Sequence, residues 1–275
     1  MSPSGAFAWN WDPAVLLGLL ALCCAYYGVV GPLRERRGWG EPPSRRQITS
    51  FVVGMLLLAL CLISPLDALG RTTLFSAHML QLMVINTVVG PLLLLGLPAG
   101  IVRTSLGPLR NLGEYGLIVV MLAAAGLFNA VFLLWHAGSF YEPALHNEAL
   151  RDLEVLTILL TGILRWWPVL TPDQPKLRMA SPTQILYILL ESLPIDIFGV
   201  ALIFALRPTY ATYALATPVW HLTASLDQTI AGCIALIPGT FLDFILISIV
   251  FFAWLRRVEH DQEREDERLA ALPRP

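Results

Sequence analysis

Lysine is almost missing from this chain. Seventeen of its 18 basic residues are arginine, and the one lysine, Lys176, stands in a polar stretch. No lysine is therefore placed inside an apolar run to carry a retinal Schiff base, which argues against a rhodopsin-type photoreceptor. Cysteine is scarce as well: Cys23, Cys24, Cys61 and Cys233 all lie in apolar runs, with no CxxC and no zinc-like spacing. They read as small buried hydrophobes, not as a thiol redox or zinc motif. Charge is thin, at 14% against 56% hydrophobic residues, and the mean hydropathy is +0.66. A soluble domain of 275 residues is never so apolar. The chain has no nucleophile elbow, phosphate loop or cofactor fingerprint, so no feature points to an enzyme. The basic residues fit orientation in a membrane, which leaves a nucleic-acid partner unsupported. A cleaved signal peptide is not expected either, because the N-terminus lacks a basic region followed by a short apolar core and a small-residue cleavage site.

What the chain does have is long apolar runs. A helix rises about 1.5 Å per residue and the hydrocarbon core is about 30 Å thick, so roughly 20 apolar residues cross it. Seven such runs are present, near residues 13–31, 47–65, 74–98, 116–136, 150–170, 184–206 and 228–255. The expected fold is all-α, a polytopic membrane bundle of seven helices. It forms one domain over residues 1–255, followed by a charged tail over 256–275. The loops alternate sharply in basic content. One set, including the tail, carries fourteen Lys and Arg residues, and the opposite set carries three: Arg71, Arg151 and Arg207. The positive-inside rule then puts the N-terminus outside and the C-terminus in the cytoplasm.

With that topology, four of the five histidines fall towards the outer face: His78, His136, His146 and His221. Asp67, Asp227 and Gln228 join them at helix ends. Imidazole with thioether sulfur suits copper, and Met79 and Met83 lie beside His78 at one-turn spacing. Candidate metal ligands are therefore His78, His136, Met79 and His146. Each has a second reading. His136 next to Trp135 also fits an interfacial side chain, Met79 and Met83 fit packing, His146 fits a solvated loop, and Asp227 fits the N-cap of the last span. His78 lies inside a span, where an ionisable group costs a few kcal/mol unless it is paired or lines a cavity. The same cost applies to Arg165, Glu191, Asp196 and Asp243. An Arg165–Glu191 ion pair is expected, acting as a structural clamp. Asn86 and Asn129 are expected to hydrogen-bond between helices.

Several ordered motifs resemble the multi-span CtaG-type assembly factors of haem–copper cytochrome c oxidases. They are Ser64-Pro65-Leu66-Asp67, then Leu74 to Gln81 (LFSAHMLQ), then Gly90 to Gly96 (GPLLLLG) with Pro98. Trp135-His136, Trp166-Trp167-Pro168-Val169-Leu170 and Asp227-Gln228 with Ala231-Gly232 complete the set. The resemblance implies a bacterial plasma-membrane protein that matures the oxidase through copper delivery at the outer face, with an oxidase subunit as partner. Asp67, Gln81, Asp227 and Gln228 would support the ligands. The chain departs from the family at three places. Leu82 stands where a second histidine of the third span is usual, and Arg151 and Val155 replace both histidines of a His-x-x-Glu-His pattern. A leucine cannot ligate metal, and an arginine at a ligand position would repel it. The alternative is a member without metal, acting as an accessory subunit of a respiratory or other membrane complex. A small transporter is a third reading.

Overall fold

Residue 64 turns the chain out of its second long helix. Pro65 disfavours a helical residue before it, so α2 (Arg45–Ile63) stops there and Ser64 adopts extended geometry. The Ser64 hydroxyl then accepts from the Leu66 amide at 3.3 Å and, with Pro65 in the first turn, opens α3 (Pro65–Thr72). The computed structural model describes residues 8–170 and 181–270. Its further helices are α1 (Pro13–Arg37), α4 (Phe75–Leu95), α5 (Ala99–Ser105), α6 (Glu114–Trp135), α7 (Gly138–His146), α8 (Glu148–Leu170), α9 (Ser181–Phe204), α10 (Ala211–Ala214) and α11 (Ala224–Ala270).

Among the described residues, seven helices are long and apolar enough to cross a membrane: α1, α2, α4, α6, α8, α9 and α11. No strand occurs among them, and the fold is the all-α polytopic bundle expected. The loop with Lys176 and Arg178 lies outside the described residues. Of the charged tail, the part to Ala270 simply continues α11, whose 47 residues span about 70 Å, more than twice the hydrocarbon thickness.

The three short helices α3, α7 and α10 sit together over one end of the bundle, called here the capped end. At its centre stand α4 and α8, whose most apolar windows are 61% and 56% buried, against 11% for α1 and for α11. The first and last spans are therefore peripheral and the polar helices α4 and α8 are central. Burial in the middle of the bundle is what lets their polar side chains be held.

Glycines allow a close crossing between α9 and α11. A Cβ added at Gly232 would stand 2.6 Å from the Gly199 carbonyl oxygen and 2.8 Å from Ile203. Close backbone approach of this kind is how helices pack in lipid, where no hydrophobic force drives them together. Gly232→Ala is expected to lower stability by about 1–3 kcal/mol through overpacking. Thermal unfolding in detergent would read this, and an unchanged midpoint would show that the helices can part at no cost.

Candidate metal centre

Helix α4 starts without a side-chain cap of its own at Leu74. Asp227, in the first turn of α11, supplies one from across the bundle. Its carboxylate accepts from the Phe75 amide at 2.7 Å, from the Ser76 amide at 3.3 Å and from the Ser76 hydroxyl. The sequence predicted Asp227 as the N-cap of its own span; instead that helix begins at Ala224 and Asp227 caps its neighbour. A carboxylate at a helix N-terminus also complements the positive end of the helix dipole. It fixes the first turn of α4, and His78 projects from the next residues, 4% exposed.

His136 ends α6. Its imidazole Nδ1 lies 2.8 Å from the Phe132 carbonyl oxygen. A carbonyl only accepts, so Nδ1 carries the proton and the Nε2 lone pair is left free. Burial, with His78 beside it, pushes the His136 pKa down to about 4, so the ring is neutral at physiological pH. This is the tautomer and charge state a metal-binding histidine needs.

The third member comes from α8. Glu154 is 1% exposed, and its Oε1 lies 3.3 Å from His78 Nε2. Ligand atoms of His78, His136 and Glu154 all fall within 4.8 Å of one another. His78 Nε2 and Glu154 Oε1 face each other, while His136 Nε2 is buried without a hydrogen-bond partner. An unpaired buried polar atom costs about 1–3 kcal/mol, and a cation between the three groups would offset that cost. Two imidazole nitrogens and one carboxylate oxygen suit copper or zinc.

Asp67 holds this arrangement from behind. It is 1% exposed and meets Arg151 in a close ion pair and Arg71 at 3.1 Å. It also accepts from Gln81 at 3.2 Å and Asn10 at 3.0 Å. Gln81 donates in addition to the Cys61 carbonyl at 2.9 Å. Gln81 follows His78 by three residues on α4, and Arg151 precedes Glu154 by three on α8. Residues three apart share a helix face, so one carboxylate locks the faces that carry two of the ligand atoms.

Aromatic rings close the capped end. Tyr213 donates to the Gly70 carbonyl at 2.5 Å, so its oxygen accepts from Tyr141 at 2.8 Å; Tyr210 donates to the His136 carbonyl at 2.7 Å. Tyr141 stacks on His136 with ring centroids 5.6 Å apart and meets His78 edge-on at 5.0 Å. Burial raises the Tyr141 and Tyr213 hydroxyls well above their ordinary values, so they remain neutral donors. The centre is thus sealed from water by α7 and α10.

The structure brings His78 and His136 together, with ring centroids 5.8 Å apart. Met79 is fully buried in the apolar cluster with Phe75, Leu82, Met83 and Phe128. His146 is exposed on α7, with Nε2 3.3 Å from the Thr212 hydroxyl. Gln228 accepts from the Thr209 amide at 2.6 Å and donates to the Leu202 carbonyl at 3.3 Å, which ties the loop after α9 to α11. Sequence reasoning missed Glu154 as a candidate ligand. The available signal was a carboxylate one turn after Arg151 in a stretch apolar enough to be buried, where an acid needs a partner.

The family model for the cytochrome c oxidase caa3 assembly factor (Caa3_CtaG) matches residues 24–257. The chain belongs to this family. It is a membrane-embedded cytochrome c oxidase assembly factor. No curated protein and no solved structure matches it. Two of the family's usual histidine positions are closed in this assembly factor, since Leu82 is fully buried and Val155 is 9% exposed, both within apolar clusters. The third, Arg151, turns its guanidinium onto Asp67 and so does not oppose a cation with an unmatched charge.

Proposed function

We propose that this assembly factor serves oxidase maturation by binding copper at His78, His136 and Glu154 and passing it to an oxidase subunit. The capped end would face the outer side of a bacterial plasma membrane, as the basic loops require. The observation that carries this reading is the convergence of three buried ligand atoms within 4.8 Å, with His136 Nε2 left unpartnered among them. Copper is the cargo in this scheme, and the protein's own work is to hold neutral imidazoles, exclude water and open. Copper measured per chain in protein purified under reducing conditions tests it. About one copper per chain is expected for a single three-ligand site; none above background would sink it.

One observation favours a second reading. His78 Nε2 and Glu154 Oε1 are close enough, at 3.3 Å, for an ion pair when His78 is protonated. In that case the trio is a structural clamp and the protein an accessory subunit without metal.

Handing over a cargo sealed beneath α7 and α10 requires those helices to lift. Tyr213→Phe removes the donor to Gly70 and the acceptor for Tyr141, two buried hydrogen bonds of about 1 kcal/mol each. Copper release to an external chelator is expected to quicken by roughly tenfold or more, with stoichiometry unchanged. Release at the wild-type rate would show that the cap is not the barrier.

A further inference from the structure

Three spans carry a backbone irregularity in this region. Helix α4 passes through a π-helical turn at Ile85–Val89, and α9 and α11 contain Pro194 and Pro238. Each proline lacks an amide donor, so the carbonyls of Leu190 and Ile234 lose their usual partners. At membrane depth such backbone is tolerated where it is buried in protein or lines a polar cavity, and π turns concentrate at functional sites. Here the three stretches and Arg165 of α8 enclose a cavity of about 20 Å³, room for one water-sized occupant. Asn86, Thr87, Arg165, Ser192, Asp196 and Asp243 supply its polar lining.

The charges in this lining do not balance. Arg165 is matched by Glu191, 2.6 Å away, and its guanidinium rests over the rings of Phe128 and Trp166 at 4.7 and 4.9 Å. Tyr187 donates to the Arg165 carbonyl and is not a charge partner. No basic side chain among the described residues comes within ion-pair distance of Asp196 or Asp243; Ser192 hydrogen-bonds to both, Thr240 to Asp196, and Arg165 attracts both from farther away. Two carboxylates at membrane depth thus face a space whose one cation, Arg165, is already paired with Glu191, which is costly. A neutral acceptor points the same way. Asn86 is 2% exposed, lines the cavity, and its Oδ1 has no hydrogen-bond partner. Carboxylate and amide oxygens together are a hard donor set, suited to a small hard cation and unlike the imidazole centre. Arg165 in the wall disfavours a divalent ion.

We propose that this cavity is a second site, for a small monovalent cation, Na⁺, held by Asp196, Asp243 and Asn86 Oδ1. It stands on the same helix as His78, eight residues or about 12 Å further along, so its occupancy acts on the element that carries the proposed copper ligand. The site itself rests on its own residues and not on the copper reading.

The test uses the full chain in detergent, with unfolding temperature measured in sodium chloride and in choline chloride at equal ionic strength. Sodium is expected to raise the midpoint by a few degrees over choline. The rise should vanish in Asp196→Asn and Asp243→Asn and persist in Asp152→Asn. Broadening of the sodium-23 resonance by wild-type protein gives the same answer should either variant fail to fold. Absence of the sodium response in both the unfolding and the resonance measurements overturns the proposal.

Discussion

Glu154→Gln is expected to weaken copper binding by at least about tenfold, and His136→Ala to abolish stoichiometric binding, while His146→Ala leaves both unchanged. Glutamine keeps the shape of the side chain and a carbonyl oxygen but gives up the anionic ligand, so the loss reports charge and not a cavity. His136→Ala removes the nitrogen whose orientation is set by Phe132. His146 touches Thr212 and stands apart from the trio. A competition titration against a copper-specific chelator reads all three. The accessory-subunit reading expects a different pattern. There Glu154→Gln breaks a buried pair with protonated His78, so thermal stability falls while no variant changes the copper content. The two readings thus exchange which measurement moves.

Seven spans were legible because a membrane demands about 20 apolar residues in a row; the five inner runs match observed helices within a few residues at both ends, while the first and last helices run on past the apolar stretch to Arg37 and into the charged tail. The Arg165–Glu191 pair was legible for a related reason, since two charges at matching depth in adjacent spans have few other partners. Asn129 likewise donates to the Glu191 carbonyl at 2.8 Å, between helices as expected. Asn86 does not follow: its backbone accepts from Trp166, and its side-chain oxygen is left to the cavity. Helix-to-helix capping was beyond reach. Asp227 sits at the start of an apolar run, which locally fits an N-cap, and only the packing of α11 against α4 shows that it serves residues 151 and 152 positions away. The third candidate ligand was hidden by a substitution. Arg151 at a family histidine position looked hostile to metal, and nothing local said that its charge is spent on Asp67, 84 residues earlier. Once that pairing is known, the carboxylate one turn further on α8 is free for His78 and His136.

Asp67→Ala is expected to destabilise the protein by about 3–5 kcal/mol, the cost of stranding a buried charge, and to weaken copper binding although Asp67 touches no ligand atom. Arg151 is 6% exposed, and without Asp67 it keeps only the half-exposed Asp152 at 3.8 Å. Arg151→Met should cost less, because Asp67 retains Arg71, Gln81 and Asn10. The asymmetry is the test: an acid serving four partners is missed more than any one of them. The double variant Asp67→Ala/Arg151→Met removes both charges, so it should be more stable than Asp67→Ala alone, as contacts within one network are not additive. The metal effect follows from the same geometry. Releasing Gln81 and Arg151 frees the faces of α4 and α8 that present His78 and Glu154, and ligands held loosely bind less tightly. Denaturation of the three variants, with copper titration of those that remain folded, separates the parts. A double variant no more stable than Asp67→Ala would show that Arg151 is not the stranded charge, and unchanged copper affinity would show that Asp67 stabilises the fold without placing the ligands.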